Sequence, residues 1–206
     1  MIYFDYTATT KPKKELLDLH TRINEEYWCN TEGMYNQGVK AHMLLDKSSN
    51  VIIDALKLKN KKVLFTSGAT EANNTAIYGV CYSYYNEPKH IITTYLEHAS
   101  VLNVYKDLEK RGFKVTYLIP NKEGIIDTIE LEKNITNDTV LISIMWVNNI
   151  IGTIQPINEV INKYLNFLLP FLLLIATSFS LKNKSQYSHQ ELFYTRTKRT
   201  SPHHLP

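Results

Sequence analysis

The chain has 206 residues, 44% of them hydrophobic and 21% charged, with a formal net charge of +3. These proportions suit a globular protein of one large domain, or one domain and a tail, and so small a net charge gives no global reason to bind nucleic acid. The two cysteines, Cys29 and Cys81, lie far apart and make no metal-type cluster; free cysteines fit a reducing cytosol. Met-Ile-Tyr-Phe-Asp5 has no basic lead before an apolar run, so no secretion signal is expected.

Ile2 to Tyr6 reads as an extended arm ending in the polar run Thr7 to Thr10. Pro12 can open a helix, and Leu16, Leu17, His20 and Ile23 recur at helical spacing to about Trp28. A second helix is predicted from Gly38 to Leu58, followed by a polar turn at Lys59 to Lys62. Strands and helices then alternate. The expected order is strand 63–67, helix 70–85, strand 90–94, helix 99–111, strand 114–119, helix 129–135, strand 139–147 and a helix from Pro156 to about Leu165. Gly112 suits a helix C-terminus. The strongly apolar strand 139–147 has the pattern of a strand buried on both faces. This order predicts an α/β fold with a mostly parallel sheet covered by helices.

Four stretches carry residues suited to chemistry. Phe65 to Asn74 places a small-residue turn between an apolar segment and a helix. The first-turn N–H groups of a helix and its dipole make a phosphate seat. Gly68 permits a tight turn, Ala69 leaves room for a ligand, and Thr70 offers a hydroxyl to a phosphate or to the helix as a cap; an ordinary capped helix is the alternative. Glu97-His98-Ala-Ser100 follows a strand, where open α/β sheets bind ligands. His98 there is either a cap or a ring that stacks or moves a proton. Asn148-Asn149 follows the apolar strand, suited to a ligand or simply to a turn. Asp5 to Thr10 is a small hydroxyl-rich loop or turn. One cofactor with a phosphate, a flat ring and polar ring substituents would use the first three together.

The stretches FDYTATT, NTEGMYNQGVKA, VLFTSGATEANNTAI, HIITTYLEHASVLN, GFKVTYL with NKEGIID, and ISIMWVNNIIGTIQPI occur in that order. With them, residues 1–165 resemble the N-terminal part of the cysteine desulfurases, in the class V aminotransferase family of fold-type-I pyridoxal-phosphate enzymes. The resemblance implies an incomplete aminotransferase-like large domain with helices on both sheet faces. It implies that Ala69 and Thr70 bind the phosphate of pyridoxal 5'-phosphate, that His98 stacks on its ring, that Asn149 hydrogen-bonds its phenolic oxygen, and that Thr7 to Thr10 border the substrate. The implied parent reaction takes sulfur from L-cysteine, leaving L-alanine, and passes it as an enzyme persulfide to acceptor proteins for iron–sulfur clusters or tRNA thiolation. The parent family is homodimeric, and selenocysteine lyases share these motifs. Two local departures are Asn30-Thr-Glu-Gly33 in place of Asn-Pro-Ser-Ser, and Ile150 in place of glutamate.

The family pattern stops after residue 165. Its pyridinium-pairing aspartate, its Ser-x-His-Lys lysine, its nucleophilic cysteine loop and its carboxylate-binding arginine have no counterpart here. Lys182, Lys184 and Lys198 stand in unrelated contexts, and neither Cys29 nor Cys81 matches the catalytic cysteine. The expectation is a catalytically inactive chain with no covalently held cofactor and no metal. Residues 166–206 are an apolar stretch and a basic, unpatterned tail. A lost reading frame or truncation is favoured over a membrane segment, because the dense run Phe167 to Ala176 is short for the roughly 20 residues of a span. A non-catalytic, membrane-attached or binding half-fold is the alternative function.

Overall fold

A computed structural model describes residues 2–4, 9–56, 62–84, 86–87, 89–164 and 171–175. Thr7 and Ala8, most of the Lys59 to Lys62 turn, and residues 176–206 with their lysines lie outside these. The chain divides into two compact units, one formed by Met1–Phe65 and the other beginning at Thr66.

The first unit carries α1 (Lys14–Glu26) and α2 (Asn36–Ala55). The 3.6-residue rhythm produced both helices, yet α1 has no buried residue, and Leu16 and Leu17 are more than half exposed. Nothing among the described residues covers this stripe. α2 buries Gly38 and Ala41. Gly38 sits where a Cβ would come within 2.4 Å of the Gly33 carbonyl oxygen, so the 30–33 loop packs on α2 only because this position has no side chain.

The second unit is a parallel sheet with helices on both faces. Its elements are α3 (Ala69–Tyr82), β1 (His90–Thr94), α4 (Ala99–Lys110), β2 (Lys114–Leu118), α5 (Thr128–Asn134), β3 (Thr139–Met145), α6 (Ile157–Tyr164) and β4 (Phe171–Ile175). The strands lie in the order β2-β1-β3-β4, all parallel. Side chains alternate across the sheet. Ile91 and Leu141 pack with Ile77 and Cys81 of α3 and with Val101, Val104, Tyr105 and Leu108 of α4. Ile92, Ile142 and Ile144 face the other way, onto Leu131 of α5 and Ile157 and Val160 of α6. β3 is buried along its whole length, as its unbroken apolar run predicts. α4 ends with a left-handed Gly112 (φ 94°), Phe113 N–H bonding to Leu108 O and Gly112 N–H to Glu109 O, the Schellman closure of a helix C-terminus.

Two elements differ from the sequence expectation. The stretch 63–67, expected as a strand, is none, and Leu64 and Phe65 are exposed; a strand exists only by pairing, and no described neighbour supplies a ladder. In contrast, Phe171–Ile175, inside the apolar run, forms β4 beside β3, with Leu141 opposite Phe171 and Met145 opposite Ile175. No described helix is long and apolar enough to cross a membrane.

Candidate functional site: the C-terminal strand ends of the sheet

α3 begins without a side-chain cap. Its N-cap is Gly68, and the first ladder bond to reach back to it comes from Ala72 N–H (3.1 Å), so the amides of Ala69, Thr70 and Glu71 precede the ladder. Gly68 is extended (φ 168°, ψ −179°) rather than left-handed, and a Cβ there would meet nothing within 4 Å. The tight-turn role expected for it is therefore not what it performs; it leaves the helix mouth open. Thr70 does not cap the helix. It is exposed, and its hydroxyl makes no hydrogen bond among the described residues. Glu71 turns back to accept from the Ser67 hydroxyl and amide, both at 2.6 Å. Those bonds, the hydroxyl's first, hold its carboxyl below the ordinary range.

His98 is the N-cap of α4. Its Nδ1 accepts from Ser100 N–H at 3.1 Å and lies 2.9 Å from Ser100 Oγ. A neutral ring therefore carries its proton on Nε2. The imidazole is exposed, so capping and ring contact are compatible. Asn73 of α3 donates to Ser100 Oγ at 3.0 Å and joins the first turn of α4 to α3.

Asn149 rides on a tight loop after β3. Asn148 N–H bonds to Thr153 O, Gly152 N–H to Asn148 O, and Gly152 (φ 72°) supplies the left-handed residue the turn requires. Asn148 Oδ1 accepts from the amides of Ile150 and Ile151. Asn149 itself is half-buried, and its amide has no partner among the described residues.

Glu97 drew no role of its own from the sequence and Asn148 only that of an amide pair suited to a ligand or a turn, yet both are buried at 6% exposure and tie the two loops together. Glu97 Oε1 accepts from Met145 N–H at 2.5 Å, and Asn148 Nδ2 donates to Leu96 O at 3.0 Å. Burial pushes the Glu97 carboxyl up to about 8, against the hydrogen bonds from Met145 and Thr94. Between the sheet and α4, Thr93 Oγ1, Glu97 Oε2, Tyr105 OH and Ser143 Oγ are buried without a hydrogen bond of good geometry. Burial also raises the Tyr105 phenol well above its ordinary value.

Ala69, Thr70, His98 and Asn149 thus belong to one unit, at the mouth of α3 and just beyond the C-terminal ends of β1 and β3. Thr9 and Thr10 belong to the other unit. The described residues hold no cluster of histidine, cysteine, aspartate and glutamate able to bind a metal.

In open α/β sheets, ligands bind among polar groups just beyond the C-terminal strand ends. The family model for aminotransferase class-V matches residues 2–168, and the chain belongs to that family. It is 44% identical over 160 residues to a NifS/IcsS protein homolog of Lactobacillus delbrueckii subsp. bulgaricus, covering 78% of this chain and 42% of that protein. It is 40% identical over 158 residues to cysteine desulfurase IscS of Dictyoglomus turgidum, covering 77% and 40%. A solved NifS-like protein superposes with a TM-score of 0.80 at 33% identity, over 85% of this chain and 48% of that one. A structure of SspA in complex with cysteine superposes equally well, at 35% identity over 84% and 50%. The chain spans less than half the length of these two curated relatives.

Proposed function

We propose that this chain is the N-terminal portion of a cysteine desulfurase and that its strand-end site binds pyridoxal 5'-phosphate without a covalent bond. The observation that carries the reading is the placement of Thr70, His98 and Asn149 at one end of one sheet, each with a polar group or ring face that no described residue uses. The residues present fit the cofactor. The uncapped first turn of α3 and the Thr70 hydroxyl suit a phosphate, the exposed His98 ring suits a pyridine face, and the Asn149 amide suits a phenolic oxygen. When bound, the cofactor supplies an electron sink for carbanionic character beside a substrate amine. The chain's own share is to seat the phosphate at α3, orient the ring between His98 and Asn149, and keep a proton on His98 Nε2.

The parent substrate is L-cysteine, its product L-alanine, and the sulfur passes to acceptor proteins serving iron–sulfur clusters or tRNA thiolation. The family resemblance and the cysteine-bound relative support this. The 206-residue chain does not complete that reaction. A lysine must be positioned to hold the cofactor covalently, and no lysine here stands in the family context. A persulfide needs a reactive thiolate. Cys81 is fully buried, and burial pushes its thiol up to about 12. The free state of both described cysteines fits a cytoplasmic setting. Residues 166–206 read as a tail foreign to the family, although β4 falls within it. Purified chain incubated with pyridoxal phosphate and L-cysteine tests this. Sulfide and alanine at the rate of free cofactor alone is the expected result; turnover well above it contradicts the assignment.

A further inference from the structure

We propose that Glu97 and Asn148 are positioning residues, a reciprocal tether that holds the two ring-contact residues, His98 and Asn149, in register across the ends of β1 and β3. The inference rests on the reading of His98 and Asn149 as cofactor contacts, and the geometry supplies the rest. Each tether residue immediately precedes a contact residue. Each has its side chain buried while its successor's is more open. The two bonds run in opposite senses: Glu97, after β1, receives the amide of Met145, the last residue of β3, and Asn148, after β3, donates to Leu96, after β1. A slip of one loop against the other breaks both.

Strand pairing does not do this work. The β1–β3 register pairs Ile92 with Ile142 and goes no further toward the site, and the described backbone hydrogen bonds of the two loops run within a loop or to β2, not from one loop to the other, so side chains join them. Thr94 shapes the first loop by accepting from Leu96 N–H at 3.2 Å. The second loop is fixed internally by the two bonds to Asn148 Oδ1. Stability alone does not explain a glutamate at this point. A buried carboxyl is costly, its Oε2 finds no partner of good geometry, and Tyr105 with the Thr93 and Ser143 hydroxyls is equally unsatisfied. An apolar residue would avoid that cost but would leave Met145 N–H without an acceptor and the loops untied. Burial keeps the carboxyl protonated at neutral pH, so it acts as an uncharged acceptor, and glutamine can replace it.

The test uses the full 206-residue chain and two readouts. In the first, amide hydrogen exchange is followed without cofactor. Glu97→Ala is expected to speed exchange at least tenfold in residues 146–152 as well as 95–98, and Asn148→Ser to do the same in residues 95–98. Amides 91–93 and 141–143 stay protected, and Glu97→Gln stays near wild type. In the second, binding of pyridoxal phosphate and of inorganic phosphate is compared. Both disruptive variants are expected to weaken pyridoxal phosphate at least tenfold and inorganic phosphate less than twofold. Exchange that rises only in the substituted loop overturns the tether. So does a Glu97→Gln chain as disturbed as Glu97→Ala, or equal losses for the two ligands. If Glu97→Ala fails to fold, Asn148→Ser alone decides. A wild-type chain that does not bind pyridoxal phosphate refutes the cofactor reading, while the exchange result still decides the tether.

Discussion

Asn73 joins the second turn of α3 to Ser100 in the first turn of α4: Asn73 Nδ2 donates to Ser100 Oγ at 3.0 Å, and both residues are buried. Since Ser100 N–H also fixes His98 Nδ1, one bond couples the helix mouth at Thr70 to the imidazole. Removing it as Asn73→Ala leaves a buried hydroxyl short of a donor, at a cost of about 1–2 kcal/mol. Denaturant unfolding is expected to show that loss, together with weaker pyridoxal phosphate binding.

Thr70→Val is expected to behave differently. The side chain is exposed and its hydroxyl holds no described residue, so unfolding stability changes little. The hydroxyl's bond to a charged phosphate is worth about 1.5–3 kcal/mol, which is about 10- to 150-fold in affinity. Titration of both inorganic phosphate and pyridoxal phosphate checks it.

Glu97 makes stability depend on pH in a stated direction. Burial raises its folded-state value from 4.5 to about 8, so the folded chain binds the proton more tightly than the unfolded one. Its contribution is complete below about 4.5 and is lost as pH rises through about 8. Tyr105 nearby does not titrate in this window, being held well above its ordinary value. His90 at the start of β1 has its value lowered, by burial first and by Lys114 second, with Asp138 opposing, so its contribution runs the other way and is lost as pH falls below about 6.5. The difference between wild type and Glu97→Gln cancels His90. That difference is expected to shift against wild type steadily from pH 5 to 8, measured by urea unfolding.

Gly112 closes α4 at φ 94°. Gly112→Ala forces a Cβ into the left-handed region and is expected to destabilise the chain by about 1–2 kcal/mol, with no change in ligand affinity, since α4 presents its other end to the site.

The parallel order was legible because each element carried a local signal. β1 spans His90–Thr94 as its apolar run predicts, and the helix ends shift by only a few residues. What escaped depended on partners. Val63 to Ser67 has strand composition but no pairing neighbour among the described residues, while Phe171–Ile175 gains one in β3. An apolar run of that length has no periodicity from which to read its fate. The candidate residues Thr70, His98 and Asn149 stood out through their type and their place after apolar runs. The link that Glu97 and Asn148 make between the two loops did not, because it lies in burial and in bonds of long sequence separation, which appear only once β1 and β3 lie side by side.

Equilibrium titration of the purified chain with pyridoxal 5'-phosphate, followed by cofactor absorbance, decides whether the strand-end site holds the cofactor. Saturable binding of one cofactor per chain is expected, competed by inorganic phosphate, weakened at least tenfold by both Thr70→Val and Asn149→Ala, and released by dialysis. Absence of saturable binding, or binding that neither substitution weakens, would contradict the cofactor reading.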